Sequence, residues 1–134
     1  MPDSIFDPNS LFQEGLALRK AVLGEDHVER SLAAAEQDPL FAPMQQLTTE
    51  IGWGKVWARP GLERKTRSFL SCAFLLAGGK HEELKTHIRG ARNNGATREE
   101  IVELIVHGAI YCGFPSALEA ARIAREVFAV EDAE

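Results

Sequence analysis

Cysteine is scarce in this sequence, and what there is forms no recognisable site. Cys72 and Cys112 are the only two in 134 residues. They lie far apart with no CxxC, so they read as small buried apolar residues. A disulfide is disfavoured in a chain without an export signal. Met1-Pro2-Asp3-Ser4 opens with no basic region followed by an apolar one, so no secretory signal is expected and the expected compartment is the cytoplasm. The apolar runs are short and interrupted, which excludes a membrane span. There is no basic excess either. The net charge is −5, and no basic stripe pairs with an aromatic surface, which argues against nucleic acid. HxxxH, HExxH and zinc-spaced cysteines are missing, so no metal is expected. Neither a phosphate loop nor GxGxxG occurs.

The sequence also lacks period-2 alternation bounded by hairpin turns. What it has is helical spacing, and the expected fold is all-α, a single domain of about six to seven helices. Asp7-Pro8 signals a first start after a loose tail over residues 1–6, and Gly24 a stop. A second helix is expected from about Asp26 to Gln37, with Val28, Leu32 and Ala35 inward. Asp38-Pro39 starts a third, carrying Leu40, Phe41, Met44, Leu47 and Ile51 and continuing, bent or frayed, to about Trp57. Arg59-Pro60-Gly61 is a turn. The fourth helix, about 62–77, has a nearly unbroken apolar second half and is expected to be buried on all sides. A fifth ends at Asn93-Asn94-Gly95. Thr97-Arg98-Glu99-Glu100 is a capping box that opens a sixth. The last helix runs from Ser116 to about 130, with a frayed acidic end. A chain this short with this much apolar surface is expected to complete its core by association.

Functional readings concentrate in Trp53-Gly54-Lys55-Val56-Trp57-Ala58-Arg59-Pro60-Gly61-Leu62 and the helix start after it. Both tryptophans fall within five residues. They read either as core or interface, or as the apolar wall of a small pocket. Arg64, Arg67, Ser68 and Ser71 share one helix face. Arginine there pairs with an acidic side chain of the protein, or grips a ligand carboxylate with two parallel hydrogen bonds. His27 and His81 read as exposed. His87 shares an apolar face with Leu84, Ile88 and Ala91, and His107 lies four residues before Tyr111. An inward histidine is a core residue, or beside an anion site it moves protons near neutral pH.

The stretch from Trp53 to Leu62 with Arg67-Ser68 resembles the WGxxWxRPGLxxxxRS signature of the carboxymuconolactone decarboxylase family. The segments His87-Ile88-Arg89-Gly90-Ala91, Asn94-Gly95-Ala96-Thr97 and Tyr111-Cys112-Gly113-Phe114-Pro115 resemble later parts of it, and Gly15-Leu16-Ala17-Leu18-Arg19 and Val22-Leu23-Gly24 an earlier part. Peroxidase members of the wider alkylhydroperoxidase D-like superfamily carry CxxC before a histidine. Aligned on His87, this chain has Lys80 and Glu83 there, which argues against that chemistry. Three positions depart from the family pattern: Ile51 and Gly52 before Trp53, and Cys112 beside Tyr111.

The resemblance implies an alkylhydroperoxidase D-like fold, an obligate homo-oligomer (a homohexamer), and cofactor-free conversion of 4-carboxymuconolactone to 3-oxoadipate enol-lactone in the protocatechuate branch of the β-ketoadipate pathway. On that reading Arg67, with Arg59 or Arg64 assisting, anchors a substrate carboxylate, and His87 is proton donor or oxyanion partner. Trp53 and Trp57 line the pocket, and Ser68 and Tyr111 donate hydrogen bonds. Three competing readings stand beside it: a different carboxylated lactone, an oxidoreductase working without CxxC, and a non-catalytic binding protein.

Overall fold

The computed structural model describes residues 4–134, and among them every regular element is helical. The chain divides into two compact units, Met1–Leu62 and Glu63–Glu134.

The first unit holds α1 (Ser10–Leu23), α2 (Glu25–Glu36) and α3 (Phe41–Leu47). α3 passes directly into a π-helical segment, Thr48–Trp57. The cap of α1 is Asn9, whose side chain accepts from the Phe12 N–H at 2.8 Å, rather than the expected Asp7. Asp7 instead donates its backbone N–H to the Gln46 side chain at 2.9 Å, and Phe6 stacks on Phe12 with ring centroids 5.7 Å apart. Phe6 and Asp7 are therefore held in place within the expected tail and just after it; residues 1–3 of that tail lie outside the described residues. Gly24, at φ 97, ends α1 as expected, because an L side chain is disfavoured there. The Asp38 side chain accepts from the Leu40 N–H at 2.9 Å, as its start signal implied. The core of this unit is Val22, Leu23, Val28 and Trp53, with Leu16, Leu32 and Trp57 packed on it. By contrast, Leu40, Phe41, Met44, Leu47 and Ile51 are exposed, an apolar stripe on the outer face of α3 and the π-helical segment.

The second unit holds α4 (Arg64–Gly78), α5 (His81–Asn93), α6 (Arg98–Cys112) and α7 (Phe114–Ala133). Its core joins Cys72 and Leu76 of α4 to Leu84 and Ile88 of α5, Ile101 of α6, and Ile123 and Val127 of α7. The capping box of α6 is complete: Thr97 Oγ1 accepts from the Glu100 N–H, and Glu100 Oε1 accepts from the Thr97 N–H.

Two expectations are corrected here. α4 is not buried on all sides, since Phe74 is 69% exposed and Leu70 is exposed as well. The acidic end is not frayed, because α7 continues through Glu131 and Asp132. Arg92 Nε donates to both carboxylate oxygens of Glu131, at 3.0 and 2.9 Å, and Arg98 Nη2 donates to Asp132 at 2.6 Å. Both guanidinium groups lie over the Phe128 ring. Charge-assisted bonds of this kind, one shared between both oxygens of Glu131 and one to Asp132, hold the last helical turn where composition alone suggests disorder.

Candidate active site

Trp53, Trp57 and Arg59 belong to the first unit; Arg64, Arg67, Ser68, His87 and Tyr111 belong to the second.

In the first unit the tryptophans are presented by the π-helical segment. Its bonds run from i to i+5, a rare geometry in helices that is frequent at functional sites. Trp53 is buried and Trp57 half-buried, and their rings stack with centroids 4.6 Å apart at 25°. Two glycines let this segment lie against α1. A β-carbon on Gly15 would overlap the Thr49 carbonyl oxygen, and one on Gly54 would stand 2.8 Å from the Leu11 carbonyl oxygen. Behind the contact lies Arg19, only 6% exposed. Its Nη1 donates to Gln45 Oε1 at 2.7 Å and to Thr49 Oγ1 at 3.2 Å. Burial pushes this guanidinium below its ordinary pKa. Sequence reading placed Arg19 only within a family-like segment; its contacts lie 26 and 30 residues away and leave no local signal. Arg59, just after this segment, is exposed.

In the second unit, Arg64, Arg67 and Ser68 share a face of α4 as expected, with exposure falling along it. Arg64 is exposed, Arg67 half-buried and Ser68 fully buried. The Ser68 hydroxyl accepts from Asn94 Nδ2 at 2.9 Å. Asn94, expected only to end α5, thereby reaches the serine of the arginine-serine pair. Lys65, on the same turn, pairs with Glu100 at 2.9 Å. His87 is half-buried on α5, which packs against α4, between the buried side chains of Leu84 and Ile88 on its own helix. Arg67 Nε and His87 Nδ1 are both shielded from solvent. A guanidinium and an imidazole presented by neighbouring helices can hold a carboxylate and move a proton.

Tyr111 is elsewhere in this unit. It is 78% exposed at the end of α6, with its ring centroid 5.0 Å from that of His107. Both line an open groove of about 990 Å³ between α4 and α6, whose walls include Phe69, Leu70, Leu104 and Ile110. Arg67, Ser68 and His87 do not line it. Of the other histidines, His81 is exposed as expected, whereas His27 is half-buried. Cys72 is fully buried, and burial pushes its thiol up to about 12. Cys112 is half-buried at the groove.

Comparison with known proteins agrees with the motif reading. The profile of the carboxymuconolactone decarboxylase family matches residues 42–126. Over 117 residues the chain is 44% identical to a 4-carboxymuconolactone decarboxylase of Acinetobacter baylyi, covering 87% of this chain and 86% of that one. Over 110 residues it is 49% identical to a nitrosuccinic acid decarboxylase of Metarhizium robertsii, covering 82% of this chain and 76% of that one.

Proposed function

Since the chain belongs to the carboxymuconolactone decarboxylase family, we propose that it removes CO2 from 4-carboxymuconolactone, giving 3-oxoadipate enol-lactone. That it is a carboxy-lyase follows from its two decarboxylase relatives. The lactone reading is carried by one observation, the 44% identity to a 4-carboxymuconolactone decarboxylase along most of both chains.

The chemistry asks little of the protein. The departing carboxylate sits on a ring carbon vinylogous to the lactone carbonyl. As its C–C bond breaks, the electron pair moves through the ring C=C into the carbonyl, CO2 leaves, and a furanolate-like dienolate remains. A proton added to the carbon alpha to the carbonyl gives the enol-lactone. The substrate carries its own electron sink. The protein must hold the acetate arm, stabilise the lactone oxyanion and deliver one proton. Preorganised donors aimed at developing charge supply the largest part of such accelerations. We assign Arg67, assisted by Arg59 or Arg64, to the substrate carboxylate, and His87 to the proton or the oxyanion. Trp53 and Trp57 form the apolar wall; Ser68, fully buried and bonded to Asn94, and Tyr111, at the groove between α4 and α6, stay outside the assignment. Self-association belongs to the same proposal. The apolar stripe of α3 and the groove between α4 and α6 are among the uncovered surfaces available for it.

The relative acting on nitrosuccinic acid favours a second reading. In both compounds the carbon that loses CO2 carries a carboxymethyl arm and is conjugated to an acceptor: a vinylogous carbonyl in one, a nitro group in the other. Loss of CO2 from the nitro compound leaves a nitronate, protonated at the same carbon. The same arm-holding arginine and proton donor would serve either substrate. The test is CO2 release from each compound by the pure protein. Turnover of the lactone at the higher kcat/KM supports the proposal, turnover of nitrosuccinate alone selects the second reading, and release from neither overturns both.

A further inference from the structure

Among the described residues, Arg19 is the one buried guanidinium whose only acceptors are neutral. Its bonds go to the Gln45 amide oxygen at 2.7 Å and the Thr49 hydroxyl at 3.2 Å, and its Nε is buried without an acceptor. No carboxylate pairs with it among the described residues. A cation in such a place is expensive, and an aliphatic side chain of similar volume serves stability as well or better. The arginine therefore needs another explanation.

Its partners supply one. Gln45 lies in the last turn of α3 and Thr49 in the first turn of the π-helical segment, so one nitrogen spans the junction where the helix changes its bonding. The Thr49 hydroxyl, while accepting from Arg19, donates back to the Gln45 carbonyl at 2.7 Å. Back-bonding of this kind bends a helix, and the guanidinium fixes which way the hydroxyl points. Trp53 follows Thr49 by four residues and Trp57 by eight, so both are carried by the segment whose start is held in this way. The clamp has a rigid base. Gly15 and Arg19 lie one turn apart on α1, and the Gly15 contact with Thr49 and Gly54 leaves no slack between the two backbones.

We propose that Arg19 is a positioning residue: by bonding Gln45 and Thr49 together it sets the register of the π-helical segment, and through it the placement of the Trp53–Trp57 pair. The inference rests on the reading that these tryptophans wall the decarboxylation pocket.

The test uses the full chain with Arg19→Met, Arg19→Lys and Thr49→Val. Three properties are measured: Tm, kcat and KM on 4-carboxymuconolactone, and the exciton couplet of the stacked indoles in circular dichroism. The chain has only two tryptophans, so the couplet reports this pair alone. Arg19→Met is expected to keep Tm, to lose most of the couplet, and to lower kcat about 10- to 100-fold, the scale of a small misplacement in a site. Arg19→Lys, which retains the charge on a single donor nitrogen, falls between it and the wild type. Thr49→Val keeps the shape without the hydroxyl and gives the same pattern should Arg19→Met not fold. Wild-type couplet and kcat in Arg19→Met overturn the inference. So does a loss of couplet and kcat that only follows a fall in Tm and that lysine does not relieve. If the wild type releases no CO2 from the lactone, the decarboxylation reading fails, and the couplet by itself decides the role of Arg19.

Discussion

Gly15 of α1 faces Thr49 so closely that a β-carbon on the glycine would overlap the threonine's carbonyl oxygen and stand 2.8 Å from the Gly54 nitrogen. Both neighbours are backbone, which cannot rotate away as a side chain can. Alanine at position 15 gains about 1 kcal/mol of helix propensity but must push two backbones apart. Overpacking of this kind costs about 3 kcal/mol or more when no side chain can yield. Gly15→Ala is therefore expected to lower the urea midpoint clearly. Gly61→Ala, where an added carbon meets nothing within 4 Å, should leave it unchanged. Equal midpoints for the two variants would show that α1 does not pack as described.

The bond from Asn94 to Ser68 yields a second prediction. Ser68 is fully buried and its hydroxyl accepts from Asn94 at 2.9 Å. Removing the donor alone leaves a buried oxygen unsatisfied, at a cost of about 1–3 kcal/mol. Removing both groups relieves that penalty. In a double-mutant cycle, Ser68→Ala with Asn94→Ala should be more stable than the sum of the single changes by about 0.5–3 kcal/mol, the range for groups in contact. Strict additivity would mean that the bond carries no energy.

What the sequence could disclose followed the range of the physics behind it. Caps and stops are local, so Gly24, Asp38 and the Thr97–Glu100 box were legible from a few neighbouring residues. The tryptophan–arginine motif was legible for the same reason, since its members are consecutive. The π-helical segment was foreseen only as a bend, because its bonding departs from the 3.6-residue period on which helix reading depends. The Asn94–Ser68 bond, the Arg19 contacts and the hold of Arg92 and Arg98 on α7 join residues 26 to 39 apart, and sequence spacing has no term for them. The buried second half of α4 was misjudged because an apolar run cannot say whether its outer side faces more of the same chain. Phe74 and Leu70 face outward.

The two cysteines should differ in reactivity. Cys72 is fully buried with its thiol pushed up to about 12, whereas Cys112 lies half-buried at the groove. The thiolate is the reactive form. Near pH 8 an alkylating reagent is expected to modify Cys112 faster than Cys72 in the native protein, and to reach Cys72 only in urea. There is a matching effect on stability. Below the unfolded thiol's pKa of about 9, Cys72 is protonated in both states and has no effect. Above it the unfolded chain ionises while the folded one does not, so stability falls by about 1.4 kcal/mol per pH unit until the folded thiol also titrates. Cys72→Ala should remove that part of the alkaline decline, as urea midpoints on either side of pH 9 will show. Modification of Cys72 in the native protein as fast as Cys112 would contradict its burial.

The proposed division of labour, with Arg67 holding the substrate carboxylate and His87 supplying the proton or meeting the oxyanion, is open to a kinetic test. A side chain that holds the acetate arm does so equally in the ground and transition states. A side chain that delivers the proton, or meets the growing oxyanion, acts only in the transition state. Arg67→Ala is therefore expected to raise KM about 10- to 100-fold, the scale of a lost hydrogen bond to a charged group, with a smaller effect on kcat. His87→Ala should lower kcat about 10²- to 10⁴-fold with KM largely retained, as for loss of a general acid. Arg67→Lys keeps the charge but not the two parallel donors, so its KM should lie between that of Arg67→Ala and the wild type. His107→Ala provides the comparison. That ring lies with Tyr111 at the groove between α4 and α6, and its removal should change kcat far less than the loss of His87. The opposite ranking of the two histidines would move the proton donor to α6 and the chemistry to the groove.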